Sequence, residues 1–309
     1  MLDPRLHTFI QVAKSKNLTR AAERLNLTQP AVTQHIKLLE EHYGIKLIDT
    51  RGRQTTLTEA GKLLYQYALD AEAKEAVFER KLRNHAALVK QYRIGATLTI
   101  GEYVLPAILG VHKRLRPTVD LVMQVHNTEG IIKKLRDGEI DFGIVEGPFD
   151  KSQYLHQKVG DDELVLAVPP ESGFARREAV GMAEVLGGNL ILREKGSGTR
   201  DVFEDKLAEL GYNPSELNVY MEIGSIGAIK SLVEAGLGYT IISRAAISRE
   251  VIAGSLVIAP LEGIRIMREF TAIYLKDGPR EMIDELARLM TGPMNSLFSV
   301  PAVPDSRLK

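Results

Sequence analysis

Ala21-Ala22-Glu23-Arg24-Leu25-Asn26-Leu27-Thr28-Gln29-Pro30-Ala31-Val32-Thr33-Gln34-His35-Ile36-Lys37-Leu38-Leu39-Glu40 decides how the N-terminal part folds. Asn26-Leu27-Thr28 is a tight turn between two helical patterns. Thr28 suits the N-cap of the second helix, and Pro30 lies in its first turn, where a missing N–H costs little. That helix is expected to reach Tyr43, with Gly44 closing it. Upstream, residues 20–25 read as a short helix after the turn Asn17-Leu18-Thr19, with Thr19 as its cap. The Ala21-Ala22 pair permits close packing. Leu6, Phe9, Ile10 and Ala13 recur at helical spacing and predict an amphipathic helix over 4–15. Two short helices on a tight turn match the helix-turn-helix pattern.

The helix after Thr28 has two unlike faces. Val32, Ile36 and Leu39 form an inward stripe, while Gln29, Pro30, Thr33, Gln34 and Lys37 face outward. Gln pairs with adenine, Thr touches a thymine methyl and Lys serves guanine or phosphate, so this face suits base contact. A solvated polar face is the plainer alternative, and the next segment decides against it. Leu47-Ile48 and Thr55-Thr56-Leu57 predict two short strands around Asp49-Thr50-Arg51-Gly52-Arg53-Gln54. A hairpin bearing Arg51 and Arg53 beside a helix-turn-helix is a wing suited to phosphate or minor-groove contact.

The order Ala21-Ala22-x-x-Leu25, Thr28-Gln29-Pro30-Ala31-Val32-Thr33, Leu39-Glu40, Gly44, Leu47, Arg53, Leu57-Thr58-x-Ala60-Gly61 resembles the N-terminal signature of LysR-type transcriptional regulators. Ile48 and Thr50 stand where that family usually has Phe and Arg, so Arg51 is expected to take over one backbone contact. Next, Thr58 caps a predicted long helix running to about residue 88. Its Ala60, Leu64, Tyr67, Ala71, Phe78 and Leu82 make a coiled-coil-like stripe interrupted by Lys74. Packing on its own domain is one use for that stripe. The resemblance implies the other, a linker helix that pairs two subunits. A dimer would read an inverted-repeat operator in double-stranded DNA, and a homotetramer is the family's usual state.

From Gln91 on, strands and helices alternate. Strands are predicted over 92–96, 121–125, 142–145, 164–168, 190–192 and 239–242, and helices near 102–115, 129–137, 199–210 and 226–235. The pattern reads as α/β with mostly parallel sheets. Four strand-to-helix junctions carry hydroxyls: Thr97-Leu98-Thr99-Ile100, with Thr99 and Glu102 as a capping box; Asn127-Thr128; Gly196-Ser197-Gly198-Thr199; and Gly224-Ser225. Such junctions bind ligands at the carboxyl ends of strands, and helix N-termini favour anions. Any one hydroxyl is a common cap; four together point to a small polar or anionic ligand. Glu146, expected at the cleft edge, is an awkward neighbour for an anion and suits an ammonium group or a hinge anchor.

This half resembles the LysR-type effector domain, itself similar to periplasmic solute-binding proteins. The matching stretches are Thr97-x-Thr99-Ile100-Gly101-x-Tyr103-x-Leu105-Pro106, Asn127-Thr128-Glu129, Gly138-Glu139-x-Asp141-x-Gly143-x-Val145-Glu146-Gly147 and Ala228-Ile229-Lys230-x-x-Val233-x-x-Gly236-Leu237-Gly238. The fold class implied is α/β with an all-α/winged head. It comprises a winged helix-turn-helix over 1–58, a linker helix over 59–90, and a two-lobed effector domain over 91–309. Lobe I takes 91–161 and 268–297, and lobe II takes 162–267. The run Ile191-Leu192-Arg193-Glu194-Lys195-Gly196-Ser197-Gly198-Thr199-Arg200 resembles the LysR subgroup tied to sulfur assimilation, and similar runs occur in regulators of carbon fixation. A cleft lined by Thr97, Thr99, Thr128, Ser197, Thr199 and Ser225, in a chain without Trp, suits sulfite, sulfate or a small carboxylate better than an aromatic ring.

The bulk numbers agree. Residues 1–90 hold 15 Lys and Arg against 10 Asp and Glu, and the remainder holds 25 against 30, so a basic end sits on an acidic body. No Cys is present, which excludes disulfides and Cys-ligated zinc. The start Met1-Leu2-Asp3-Pro4-Arg5 lacks an export signal, and no apolar run reaches membrane length, so a cytoplasmic protein is expected. The chain has no His-Glu-x-x-His, Walker or Gly-x-Ser-x-Gly motif, and its seven histidines show no metal-ligand pairing. Ser197 near Arg193 and Arg200 has no evident general base, so catalysis, metal and cofactor are all set aside. A solute-binding receptor would fit the body but not the head. An architectural DNA protein would not need the body.

Overall fold

Asp3 accepts a hydrogen bond from Arg5 N at 2.9 Å and so starts α1 (Pro4–Ser15). A computed structural model describes residues 3–49, 55–86 and 90–292 of the chain. Lys16, at φ 49°, closes α1, and Asn17 then caps α2 (Leu18–Leu25) by accepting from Arg20 N at 3.0 Å. Asn17, not Thr19, is therefore the cap. The left-handed Lys16 leaves Asn17 extended, and Asn is at least as good an N-cap as Thr. Asn26, left-handed at φ 53°, turns the chain into Thr28, which caps α3 (Gln29–Tyr43) through Ala31 N. Gly44, at φ 67°, ends that helix. Phe9, Ile10, Val12, Ala21, Ala22, Val32, Ile36 and Leu39 are buried together.

Strands β1 (Ile48–Asp49) and β2 (Thr56–Leu57) pair antiparallel, Ile48 opposite Leu57. Arg51 and Arg53 lie outside the described residues. Buried Glu40 ties this hairpin to α3: its Oε1 accepts from Leu47 N at 2.9 Å, and Lys46 Nζ reaches Oε2 at 2.6 Å. Thr58 Oγ1 accepts from Gly61 N at 3.0 Å and starts α4 (Glu59–Ala86). Gly61 is obligatory, because a Cβ there would lie 2.0 Å from the Leu47 carbonyl oxygen. The stripe read along α4 divides in two. Leu64 joins the head core with Ala68, whereas Tyr67, Phe78 and Leu82 are exposed along with Leu63. Position 64 falls on the side facing α1, where the first helix needs cover.

The body comprises β3 (Lys90–Ala96), a π-helical turn at Ile100–Val104, α5 (Leu105–Leu115), β4 (Val119–Val125), α6 (Thr128–Arg136), β5 (Phe142–Val145) and β6 (Leu155–Val168). It continues with α7 (Met182–Leu186), β7 (Leu190–Leu192), α8 (Gly198–Glu209), β8 (Met221–Glu222), α9 (Ile226–Glu234), β9 (Tyr239–Ser243), α10 (Ser248–Ala253), β10 (Val257–Ala259), β11 (Ile266–Tyr274) and α11 (Arg280–Thr291). One sheet runs β4-β3-β5-β11-β6-β9-β7-β8, with β10 on β6. The pairings at its two ends are parallel, as alternating strands and helices require. Its centre is antiparallel, because β6 and β11 run side by side and serve both ends. The sheet is thus mixed rather than mostly parallel. One core packs Ile94, Ile100, Leu105, Phe142, Phe270 and Leu286; the other end packs Leu164, Leu166, Leu190, Phe203 and Ile241. No helix among the described residues is long and apolar enough to cross a membrane.

Candidate ligand site and nucleic-acid interface

Strand β11 alternates, with Met267 and Glu269 outward and Ile266, Arg268 and Phe270 inward. Arg268 therefore carries a guanidinium into the interior, opposite Asp162 of β6 in the ladder. Its Nε donates to Asp162 Oδ2 at 2.8 Å, and Ser243 Oγ donates to Asp162 Oδ1 at 2.9 Å. The other arms reach out from the strand: NH1 donates to Thr199 Oγ1 at 2.9 Å and NH2 to Thr99 Oγ1 at 3.3 Å. A planar fork of donors can hold several acceptors at once, and here it joins a threonine from each end of the sheet. Neither Arg268 nor Asp162 lies in one of the hydroxyl-bearing junctions of the sequence. The signal was a charged residue in the buried phase of an alternating strand.

The structure brings Thr99, Thr199, Glu146, Thr128 and Ser197 into this region. Thr99 does not form a capping box with Glu102. It is already helical, at φ −57° and ψ −48°, makes no capping bond, and turns its hydroxyl to Arg268. Asn127 caps α6 by accepting from Gly130 N at 2.9 Å, which leaves the buried Thr128 hydroxyl without a partner. Thr97 Oγ1 is likewise buried and unpartnered. Glu146 is not at an edge: it is 5 % exposed, its Oε1 is 3.9 Å from Arg268 NH1, and its Oε2 has no hydrogen-bond partner. Burial pushes its carboxyl above the usual range, against the opposing pull of Arg268 and the Thr99 hydroxyl. Gly147 and Gly198 are in backbone contact beside Thr128; a Cβ on Gly147 would lie 2.8 Å from Gly198 Cα and 2.9 Å from Thr128 Oγ1. Ser197 is buried at the start of α8 and makes no capping bond.

The remaining candidates act otherwise. Ile100 is fully buried in the first core, and Leu98 packs on apolar residues of the other end, so both side chains are packing groups. Ser225 is exposed and caps its own helix, accepting from Ala228 N at 3.3 Å. Arg193 is bound by Glu194, and Arg200 by Glu204 and Glu222. Among the described residues no His, Asp and Glu gather as a metal-binding group.

On the head, Thr28, Gln29, Pro30, Thr33, Gln34 and Lys37 are all exposed, as is Thr19. Thr33 Oγ1 donates to Gln29 O at 3.0 Å and accepts from Gln29 Nε2 at 3.2 Å, so two of the outward residues are pre-ordered against each other. Lys37 lies 3.8 Å from Glu41, a pair too exposed to hold it away from phosphate.

Residues 4–62 match the family described as "Bacterial regulatory helix-turn-helix protein, lysR family", and residues 85–291 match "LysR substrate binding domain". The chain is 30% identical over 275 residues to "HTH-type transcriptional regulator CysL" of Bacillus subtilis, covering 87% of this chain and 89% of that one. It is 33% identical over 270 residues to "Probable RuBisCO transcriptional regulator" of Phaeodactylum tricornutum, covering 85% and 87%. Among solved structures, "full-length CbnR complexed with the target DNA" has a TM-score of 0.65 at 20% identity, covering 93% of this chain and 97% of the other.

Proposed function

The chain belongs to the LysR-type family of transcriptional regulators, and from that premise we propose that its body takes up a small polar or anionic effector and thereby changes operator binding. Members of this family are DNA-binding regulators with an effector domain, not enzymes. One observation carries the effector reading. Thr99 and Thr199 share a buried guanidinium, while the Thr97 and Thr128 hydroxyls and Glu146 Oε2 lie buried without partners. Buried polar atoms without partners are uncommon, and a bound polar ligand is a standard reason for them. A sulfur oxyanion such as sulfite or sulfate, or a small carboxylate, fits this lining. The likeness of residues 191–200 to sulfur-assimilation regulators supports the former.

DNA contact falls to Thr28, Gln29, Pro30, Thr33, Gln34 and Lys37, with Thr19 and the wing arginines Arg51 and Arg53 on the backbone. The domains run 1–58, 59–90 and 91–309, and the protein works in the cytoplasm as a homodimer or a pair of homodimers on an inverted repeat. Calorimetry of the full-length protein against sulfite, sulfate, thiosulfate, phosphate, O-acetylserine and benzoate tests the effector reading, beside a gel shift on the upstream intergenic DNA. Binding of an oxyanion or small carboxylate is expected, with a changed shift. Binding of benzoate alone would overturn the polar cleft.

A further inference from the structure

A hydroxyl can turn to donate or accept, but an ionised carboxylate only accepts. Thr97 and Thr128 can therefore adapt to any polar ligand, whereas Glu146 Oε2 constrains it. The charges around Glu146 come from several packed elements. From β11, Arg268 lies near Oε1, yet its Nε and NH2 are held by Asp162 of β6. From the end of β7, Arg193 is bound to Glu194 by two hydrogen bonds of 2.8 Å. On α8, Arg200 is taken by Glu204 and Glu222, and Ser197 and Thr199 carry no charge. Thr99 ahead of α5 and Thr128 of α6 are neutral as well. Each of these cations already has its carboxylate, so an ionised Glu146 is surplus negative charge. An anion without a hydrogen of its own would add to that charge and bring no donor for Oε2.

Resting on the anion reading above, we propose that the effector is an oxyanion carrying its own acidic hydrogen, which it shares with Glu146 Oε2 while the Thr97 and Thr128 hydroxyls hold its other oxygens. Hydrogen phosphate and hydrogen sulfite have that chemistry; sulfate near neutral pH does not. Sulfate can enter only if Glu146 itself takes up the proton, a step that the buried site's raised carboxyl permits at an affinity cost.

Sodium phosphate and sodium sulfate, alike in shape, are the probes. They are titrated into the full-length protein between about pH 7 and 9, in two buffers of different ionisation enthalpy. Phosphate is expected to bind roughly a hundredfold more tightly than sulfate, because a site built for a donor rejects the analogue lacking it. Sulfate binding should take up protons and weaken as pH rises, while phosphate binding takes up none. In Glu146→Gln the amide donates without a proton, so sulfate gains affinity, its pH slope vanishes and the preference collapses. Wild-type sulfate binding as tight as phosphate, without proton uptake, overturns the inference and leaves the anion reading standing. The wild-type series decides this even if the variant misfolds, and a folded variant with the wild-type preference also overturns it. If no oxyanion or carboxylate binds at all, the anion reading falls and the inference with it.

Discussion

Two kinds of threonine meet in the proposed ligand site, and they make opposite predictions. Thr97 and Thr128 have no partner for their hydroxyls, so Thr97→Val and Thr128→Val remove no bond within the protein. Their unfolding temperature should hold or rise, while effector affinity falls about tenfold, the worth of one hydrogen bond. Thr99 and Thr199 accept from buried Arg268, so Val there strands a charged donor and should cost about 1–3 kcal/mol of stability as well as affinity. Calorimetry and thermal unfolding of the four variants separate the pairs; equal destabilisation in all four would contradict the bonding pattern. In the head, Glu40 is pushed up by burial but pulled further down by Lys46 and by the Leu47 and Ile48 amides, so it ends below its ordinary value. A carboxyl depressed on folding contributes stability above its unfolded pKa, and that contribution is lost as pH falls through the folded value. Glu40→Gln should therefore speed hydrogen exchange at the Leu47 amide at neutral pH by a factor reflecting about 1–3 kcal/mol. The difference from wild type should close below the usual carboxylate range.

The elements were legible to different degrees, for physical reasons. α1 and α3, with Thr28 and Gly44, were readable because caps and helical spacing are local. Thr97, Thr99, Thr128 and Ser197 were readable because hydroxyls at strand-to-helix junctions announce themselves. Arg268 and Asp162 were not, since their bond spans 106 residues and charged residues inside β6 and β11 disguise both strands. The same locality limits the reading of α4, where spacing alone could not tell which apolar residues face the head. With Leu64 inward and Tyr67, Phe78 and Leu82 exposed, two substitutions should diverge. Phe78→Glu should shift light scattering from dimer toward monomer with the head folded; Leu64→Glu should unfold the head, as burying a charge does. A wild-type chain that is monomeric at micromolar concentration would remove the pairing role. On α3, changing Thr33, Gln34 and Lys37 together to Ala should abolish the footprint, each good base contact being worth about 1–3 kcal/mol. Wild-type protection by that triple variant would move the interface elsewhere.

At the scale of the whole molecule, effector and operator must obey one linkage. An effector changes operator affinity only by its differential affinity for the operator-competent and incompetent states. By reciprocity the operator changes effector affinity by the same factor, typically about 5–150-fold for such couplings. Operator dissociation constants by fluorescence anisotropy with and without saturating effector should thus give the same ratio as effector constants by calorimetry with and without operator. Arg268 is one side chain that bonds to both ends of the sheet, Thr99 on one side and Thr199 on the other, with Asp162 fixing it between them. Arg268→Lys keeps the charge beside Asp162 but replaces the planar fork by a point donor that cannot reach both threonines in the same geometry. The coupling ratio of that variant should fall toward unity while the effector still binds, more weakly, since the Thr97 and Thr128 hydroxyls are untouched. A variant that binds effector and keeps the full wild-type ratio would show that the two ends are coupled without Arg268.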